Sequence, residues 1–313
     1  MLGTAPAFQA RLRLGAAAVV AFVAVGLFGA YRYVDNYWVY RGFAPPKDPA
    51  FVHVRGAATH FDLTSAALGG RTQLVDVYLP PGYNTSPQRR FPVIYLLHGV
   101  PGRPAAFLDT VRLGVVEDEL LALHKARPAI LVMPFGSTGS FTDEEWANGV
   151  RPNSNWETFV ARDLVRAVDA RYRTIRSGSA RAIAGLSEGG YGALNIGLHH
   201  PGEFAVLESW SGYQRADPIR SIFGLDRSAL ARNSPSLTLG AVAARLRRAH
   251  TYVWFYSGTG DHYLKQNTAF AAELARYHIP FHYFVVHGGH NWGIWRGNAS
   301  RALLAMSRRL HGA

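Results

Sequence analysis

The chain contains no cysteine. Disulfides, thiolate-bound zinc and a cysteine nucleophile are therefore excluded. Lysine is scarce too. It occurs only at Lys47, Lys125 and Lys265, so arginine carries most of the net charge of +12. A basic surface suits anionic lipid headgroups or acidic polymers. The sequence has no dense basic stripe interleaved with aromatics and no nucleic-acid motif, so nucleic acid is not expected as a partner. It has no internal repeat. Its 313 residues, 48% hydrophobic, fit one globular domain plus an N-terminal extension.

Charge is missing from one long stretch. Leu14 to Tyr31 holds no charged residue. As a helix it would span roughly 27 Å, about one hydrocarbon core. Arg11 and Arg13 precede it, and Tyr31, Tyr33, Tyr37, Trp38 and Tyr40 follow in the manner of an interfacial aromatic belt. Residues 1–34 are expected to form a single membrane anchor, with the large domain outside the cytoplasm. A cleaved signal peptide and secretion are the alternative. The small-x-small cleavage pattern is poor, because Phe28 lies two residues before Ala30, and the uncleaved anchor is favoured. Residues 35–50 read as a linker, and 51–313 as one α/β domain.

Apolar strand signals fall at 51–63, 73–79, 91–97, 129–133, 182–186, 206–209, 251–256 and 281–286. Helical patterns fall at 106–126, after 154, after 187, at 264–277 and at 298–310. Ser154-x-x-Glu157 has the form of a capping box. Alternation of this kind predicts a mostly parallel, doubly wound sheet with helices on both faces. The mixed, arginine-rich stretch 214–249 is expected to flank or cover the site. It contains Phe223 and Leu225 among several arginines, and it reads either as an acyl-binding wall or as a flap that only packs.

Gly185-Leu186-Ser187-Glu188-Gly189 carries the chemistry. It has the G-x-S-x-G form of a nucleophile elbow, where a strand ends, the chain turns sharply and a helix begins. Its glycines let strand and helix approach closely. A pentapeptide alone is weak, so partners must be found downstream in the order serine, acid, histidine. Asp261 closes Ser257-Gly258-Thr259-Gly260-Asp261 after the strand at 251–256, and His290 closes His287-Gly288-Gly289-His290 after that at 281–286. Both fall past strand ends, where parallel-sheet sites sit.

In this reading Ser187 attacks, His290 moves its proton, and Asp261 orients the imidazole. An oxyanion would need two fixed N–H donors. The backbone of Glu188 supplies one, and Val100, in the loop His98-Gly99-Val100-Pro101, supplies the other. No metal or cofactor is called for. Other readings stay open: Asp261 as a helix cap, His287 as the base, and Glu188 as a first-turn acid favoured by the helix dipole or as a substrate contact. His98 and Gly99 would shape the oxyanion loop against the substrate. Trp292 and Trp295 either pack or wall the site, and Phe223 would face the acyl group.

The chain resembles the esterase D and antigen 85-like branch of the α/β-hydrolases, which includes feruloyl esterases and S-formylglutathione hydrolases. The matching stretches are Leu96-Leu97-His98-Gly99, Trp156-Glu157-Thr158-Phe159, Gly185 to Ala193, His200-Pro201 with Phe204, Gly258 to Asp261, and Gly289-His290-Asn291-Trp292 with Trp295. They run in family order across roughly 50–310. W-E-T-F is most similar to antigen 85 mycolyltransferases, whereas Asp261 and G-G-H-N-W look more like the general esterases. The resemblance implies an α/β-hydrolase fold and a serine esterase, with acyl transfer to another alcohol as a variant of the same chemistry. Its implied substrates are envelope or lipid esters, with feruloyl or acetyl esters of carbohydrate as the alternative. A reading of another class is a non-catalytic envelope binding protein.

Overall fold

The computed structural model describes residues 5–39, 48–139 and 142–310. The chain divides into two compact units, Met1–Ala44 and Pro45–Ala313. In the first, one helix runs Ala5–Val39. Its segment Gln9–Tyr31, with mean hydropathy 2.1, is long and apolar enough to cross a membrane. The helix runs through 35–39 of the expected linker; residues 40–47 of it, with Tyr40, and the side chains of Tyr33, Tyr37 and Trp38 lie outside the described residues.

The second unit is built on one eight-stranded sheet. Its strands are β1 (Ala57–Ser65), β2 (Arg71–Leu79), β3 (Val93–Leu97), β4 (Ile130–Pro134), β5 (Arg181–Leu186), β6 (Val206–Trp210), β7 (Tyr252–Gly258) and β8 (Phe281–Val286). Their spatial order is β1-β2-β4-β3-β5-β6-β7-β8. β1 and β2 pair antiparallel, β2 meets β4 antiparallel, and the others run parallel. This is the α/β-hydrolase architecture. Every residue of β3, β4, β5 and β6 is buried, as continuous apolar runs covered on both faces require.

Alternate side chains feed two cores. Tyr95, Leu97, Ile183, Leu207, Val253 and Phe255 pack on one face, and Ile94, Leu96, Leu131, Ala184, Trp210 and Trp254 on the other. The chain leaves β3 for β4 on one side, then returns past it to β5 on the other. The strand order therefore reverses at β3, the kind of switch point beyond whose carboxyl end ligands bind in open α/β sheets.

Several expectations are corrected. The first strand starts at Ala57 rather than 51, and 106–126 splits into the helices Ala106–Asp109 and Leu113–Ala122. Ser154-x-x-Glu157 does not form a capping box. The helix begins at Trp156 after Asn155, and Glu157 instead accepts hydrogen bonds from His199 (2.8 Å) and His200 (2.9 Å). Two imidazoles outcompete one backbone N–H for that carboxylate. The last helix spans Trp292–Arg309, with Asn291 capping Gly293 N–H at 2.9 Å. The stretch 214–249 holds three helices: Arg220–Phe223, Arg227–Arg232 and Pro235–Arg248.

Candidate active site

β5 ends at Leu186, and the helix Glu188–His199 begins two residues on. Ser187 between them has φ 55° and ψ −124°, a conformation costly for any residue with a Cβ. Close packing holds it there. A Cβ on Gly189 would collide with the Leu97 carbonyl, and one on Gly99 would come within 2.9 Å of Ser187 Cβ. These two glycines let the end of β3 lie directly against the elbow.

The three residues singled out from the sequence meet here. Ser187 Oγ lies 2.8 Å from His290 Nε2, and His290 Nδ1 lies 3.2 Å from Asp261 Oδ2. A neutral imidazole protonated on Nδ1 donates to Asp261 and leaves Nε2 free to accept from the serine. Asp261 also accepts from Tyr263 N–H (2.9 Å) and from Ser211 Oγ. Burial pushes its carboxyl up. Hydrogen bonds from His290, Ser211 and Tyr263 outweigh that, so the net displacement is below the ordinary value of 3.8. Trp295 stands edge-on to the His290 ring, 5.1 Å between centroids, and donates from Nε1 to the Trp210 carbonyl at 3.1 Å. The imidazole is thus held by packing as well as by Asp261. His287 is exposed, with no hydrogen bond to Ser187 or Asp261 among the described residues.

Ser211 was not singled out from the sequence. It follows β6 directly, is fully buried, and has φ 61°. A small hydroxyl residue just past a strand at the carboxyl edge of a parallel sheet was the available signal. His262, with its side chain 63% exposed and Nδ1 3.9 Å from Asp261 Oδ1, forms part of the rim.

Glu188 begins its helix, so its backbone N–H belongs to the unpaired first turn. Its side chain corrects the dipole reading. Burial first, then the charges of Asp143 and Glu145, push its pKa well above 4.5, and the carboxyl hydrogen-bonds to Asp143. Its carboxyl is buried and held toward the neutral form, not an exposed anion.

His98, Trp292 and Phe223, expected as substrate contacts, are all buried. His98 is fully enclosed, and burial lowers its pKa to about 4. Its Nε2 accepts from Gly136 N–H at 3.1 Å, and its Nδ1 faces the Gly99 carbonyl at 2.9 Å. No ring nitrogen is left for a ligand, so its work is to brace the loop. Trp292 is 7% exposed and packs edge-on against Trp295. Phe223 is 1% exposed in a side cluster with Tyr191, Tyr213 and Ile222. Gly99 does face Ser187, and Val100 follows it, half-buried.

An α/β-hydrolase with a hydrogen-bonded serine, histidine and aspartate at the strand-order reversal defines the class. The chain belongs to the Esterase family, whose model matches residues 65–306. It is 37% identical over 151 residues to an esterase of Mycobacterium tuberculosis, a match covering 48% of this chain and 31% of that protein. It is 27% identical over 155 residues to a diacylglycerol acyltransferase/mycolyltransferase of Mycobacterium leprae, covering 42% of this chain and 44% of the relative. The chain thus spans less than half the length of these curated relatives. Among solved structures, a ferulic acid esterase superposes with a TM-score of 0.72 at 25% identity, over 82% of this chain and 99% of its own. An S-formylglutathione hydrolase from Agrobacterium tumefaciens shares the fold at a TM-score of 0.70 and 18% identity, over 85% of this chain and 99% of its own.

Proposed function

We propose that this protein is a serine esterase that works through an acyl-enzyme. The observation that carries the proposal is the 2.8 Å approach of His290 Nε2 to Ser187 Oγ, with Asp261 behind the ring. His290 takes the hydroxyl proton as Ser187 Oγ attacks the ester carbonyl carbon. The oxyanion is met by the backbone N–H groups of Glu188 and Val100. His290 then returns the proton to the departing alcohol, leaving the acyl group on Ser187. Water, activated by the same histidine, releases the acid. If a second alcohol takes the place of water, the product is a new ester, as the naming of the mycobacterial acyltransferase relatives suggests.

The apolar helix Gln9–Tyr31 supports an anchor in the cell membrane, with the catalytic unit outside the cytoplasm, and hence substrates among envelope or lipid esters. A second reading, esters of carbohydrate such as feruloyl esters, is favoured by the ferulic acid esterase neighbour. A panel of esters that varies acyl length on one leaving group separates them. Rising kcat/KM with chain length supports the lipid reading, and a preference for feruloyl over all alkyl esters supports the other. A fluorophosphonate probe that fails to label the wild-type chain would sink both.

A further inference from the structure

A groove of about 490 Å³ lies away from Ser187, between the edge of the sheet and the C-terminal helix. Tyr252 and Trp254 of β7 and His282 and Phe284 of β8 form its floor, with Trp254 and His282 paired in register. Its wall is one stripe of the helix Trp292–Arg309: Arg301, Leu304, Ala305 and Arg308. Their i, i+3, i+4, i+7 spacing puts them on one face. That face reads basic, apolar, apolar, basic, and Arg309 closes the end. Tyr252, Arg308 and Arg309 also line a second cavity of about 430 Å³ beneath the amino ends of β6 and β7. The system therefore lies toward the opposite end of the strands from the triad.

Two of the arginines are stacked on aromatic rings. The Arg309 guanidinium carbon sits 4.0 Å above the Tyr252 ring centre, and that of Arg301 5.6 Å from the Phe284 ring centre. Stacking on an aromatic face fixes a guanidinium plane. Arg301 Nη1 also donates to Asn298 Oδ1 at 3.4 Å and Arg309 bonds the Tyr252 side chain, which holds both groups further and leaves other N–H donors for an oxyanion. No carboxylate pairs with Arg301, Arg308 or Arg309 among the described residues. The size falls in the range of small-molecule sites. Positive charge calls for a phosphate. The apolar floor and the Leu304–Ala305 step call for hydrocarbon attached to it, which a free phosphate ion would leave uncovered.

We propose that this groove is a second, non-catalytic site that binds the phosphate headgroup of an anionic lipid, with the first carbons of its acyl chains on Phe284, Trp254 and Leu304. The proposal does not depend on the chemistry assigned to Ser187. The test uses the full chain in neutral detergent, titrated calorimetrically with dihexanoyl phosphatidylglycerol, dihexanoyl phosphatidylcholine and inorganic phosphate. The expected result is binding of phosphatidylglycerol that weakens with salt and weaker binding of the other two. The triple variant Arg301→Gln, Arg308→Gln, Arg309→Gln should bind at least about tenfold more weakly, a loss of about 1.4 kcal/mol. Its hydrolysis of a short soluble ester should stay unchanged, which checks folding, and the milder Arg301→Gln should show a partial loss. Failure of the wild type to bind phosphatidylglycerol overturns the proposal. So does binding that survives the triple substitution, or equal affinity for inorganic phosphate or phosphatidylcholine.

Discussion

Ser187, His290 and Asp261 meet through contacts that can each be removed singly. Ser187→Ala should lower kcat by roughly 10⁴–10⁶-fold and abolish fluorophosphonate labelling; labelling that persists at another serine would refute the nucleophile assignment. His290→Ala should be nearly as damaging, while His287→Ala, altering an exposed side chain outside the hydrogen-bond chain, should stay close to wild type. The reverse pattern in a kcat comparison would mean that the wrong histidine was chosen. Ser211 is expected to act as a positioning residue. Its hydroxyl donates to the same Asp261 oxygen that His290 uses, and a bond to a charged group is worth about 1.5–3 kcal/mol. Ser211→Ala should lower kcat, leave KM for a short ester unchanged, and move the acid-side loss of activity upward, because an Asp261 carboxylate with one donor fewer is protonated more readily. A uniform loss at every pH would mean that Ser211 only packs.

At the scale of elements, the helix Glu188–His199 is tied to its neighbours by a clasp at its C-terminal end. His199 faces two acceptors, Glu157 Oε2 and the Arg232 carbonyl, both at 2.8 Å. Both ring nitrogens donate only in the imidazolium form. Burial works against that charge, but the hydrogen bond and charge of Glu157 prevail, and the His199 pKa is raised above 6.5. Burial likewise opposes ionised Glu157, yet the two histidines bring it down to about 2. The signs then fix the pH window. The raised histidine stabilises fully below 6.5 and loses its contribution as pH climbs through its folded value. The lowered glutamate stabilises above 4.5 and loses its contribution as pH falls toward 2. Thermal unfolding of the wild type should show this contribution most strongly between those limits. Glu157→Gln should cost about 2 kcal/mol there and flatten the dependence; an unchanged pH profile would contradict the clasp. In the segment beyond it, Phe223→Ala should cost about 3–5 kcal/mol of stability by leaving a cavity. Acyl preference should not change, because the ring is buried among Tyr191, Tyr213 and Ile222.

For the whole molecule, the N-terminal helix carries the proposal of a membrane anchor. Its Gln9–Tyr31 segment has the length and hydropathy of a span. Fractionation should recover full-length protein with membranes, extractable by detergent but not by salt, and protease added to intact spheroplasts should digest the catalytic unit. A soluble cytoplasmic pool of full-length chain would contradict that placement.

The sequence by itself determined the fold class and pointed to the three residues that meet at Ser187. Continuous apolar runs mark buried parallel strands, and the order of G-x-S-x-G, Asp261 and His290 follows from chain connectivity, which local signals carry. Its element ends were less readable. Trp292 and Trp295 looked like loop residues beside His290, yet they open the last helix because Asn291 caps it. Tertiary structure alone decided everything that depends on distant partners. Glu157 had the spacing of a cap, but helix Glu188–His199 brings two histidines to it. Glu188 looked like a dipole-stabilised anion until folding buried it beside Asp143 and Glu145. Ser211 gained its contact with Asp261 only when the ends of β6 and β7 met. Phe223 lay in a stretch where apolar and basic residues mix without a period, so nothing local said which face would be buried. Strand and elbow signals are local consequences of backbone geometry, whereas protonation, burial and second contacts are set by residues far away in the chain.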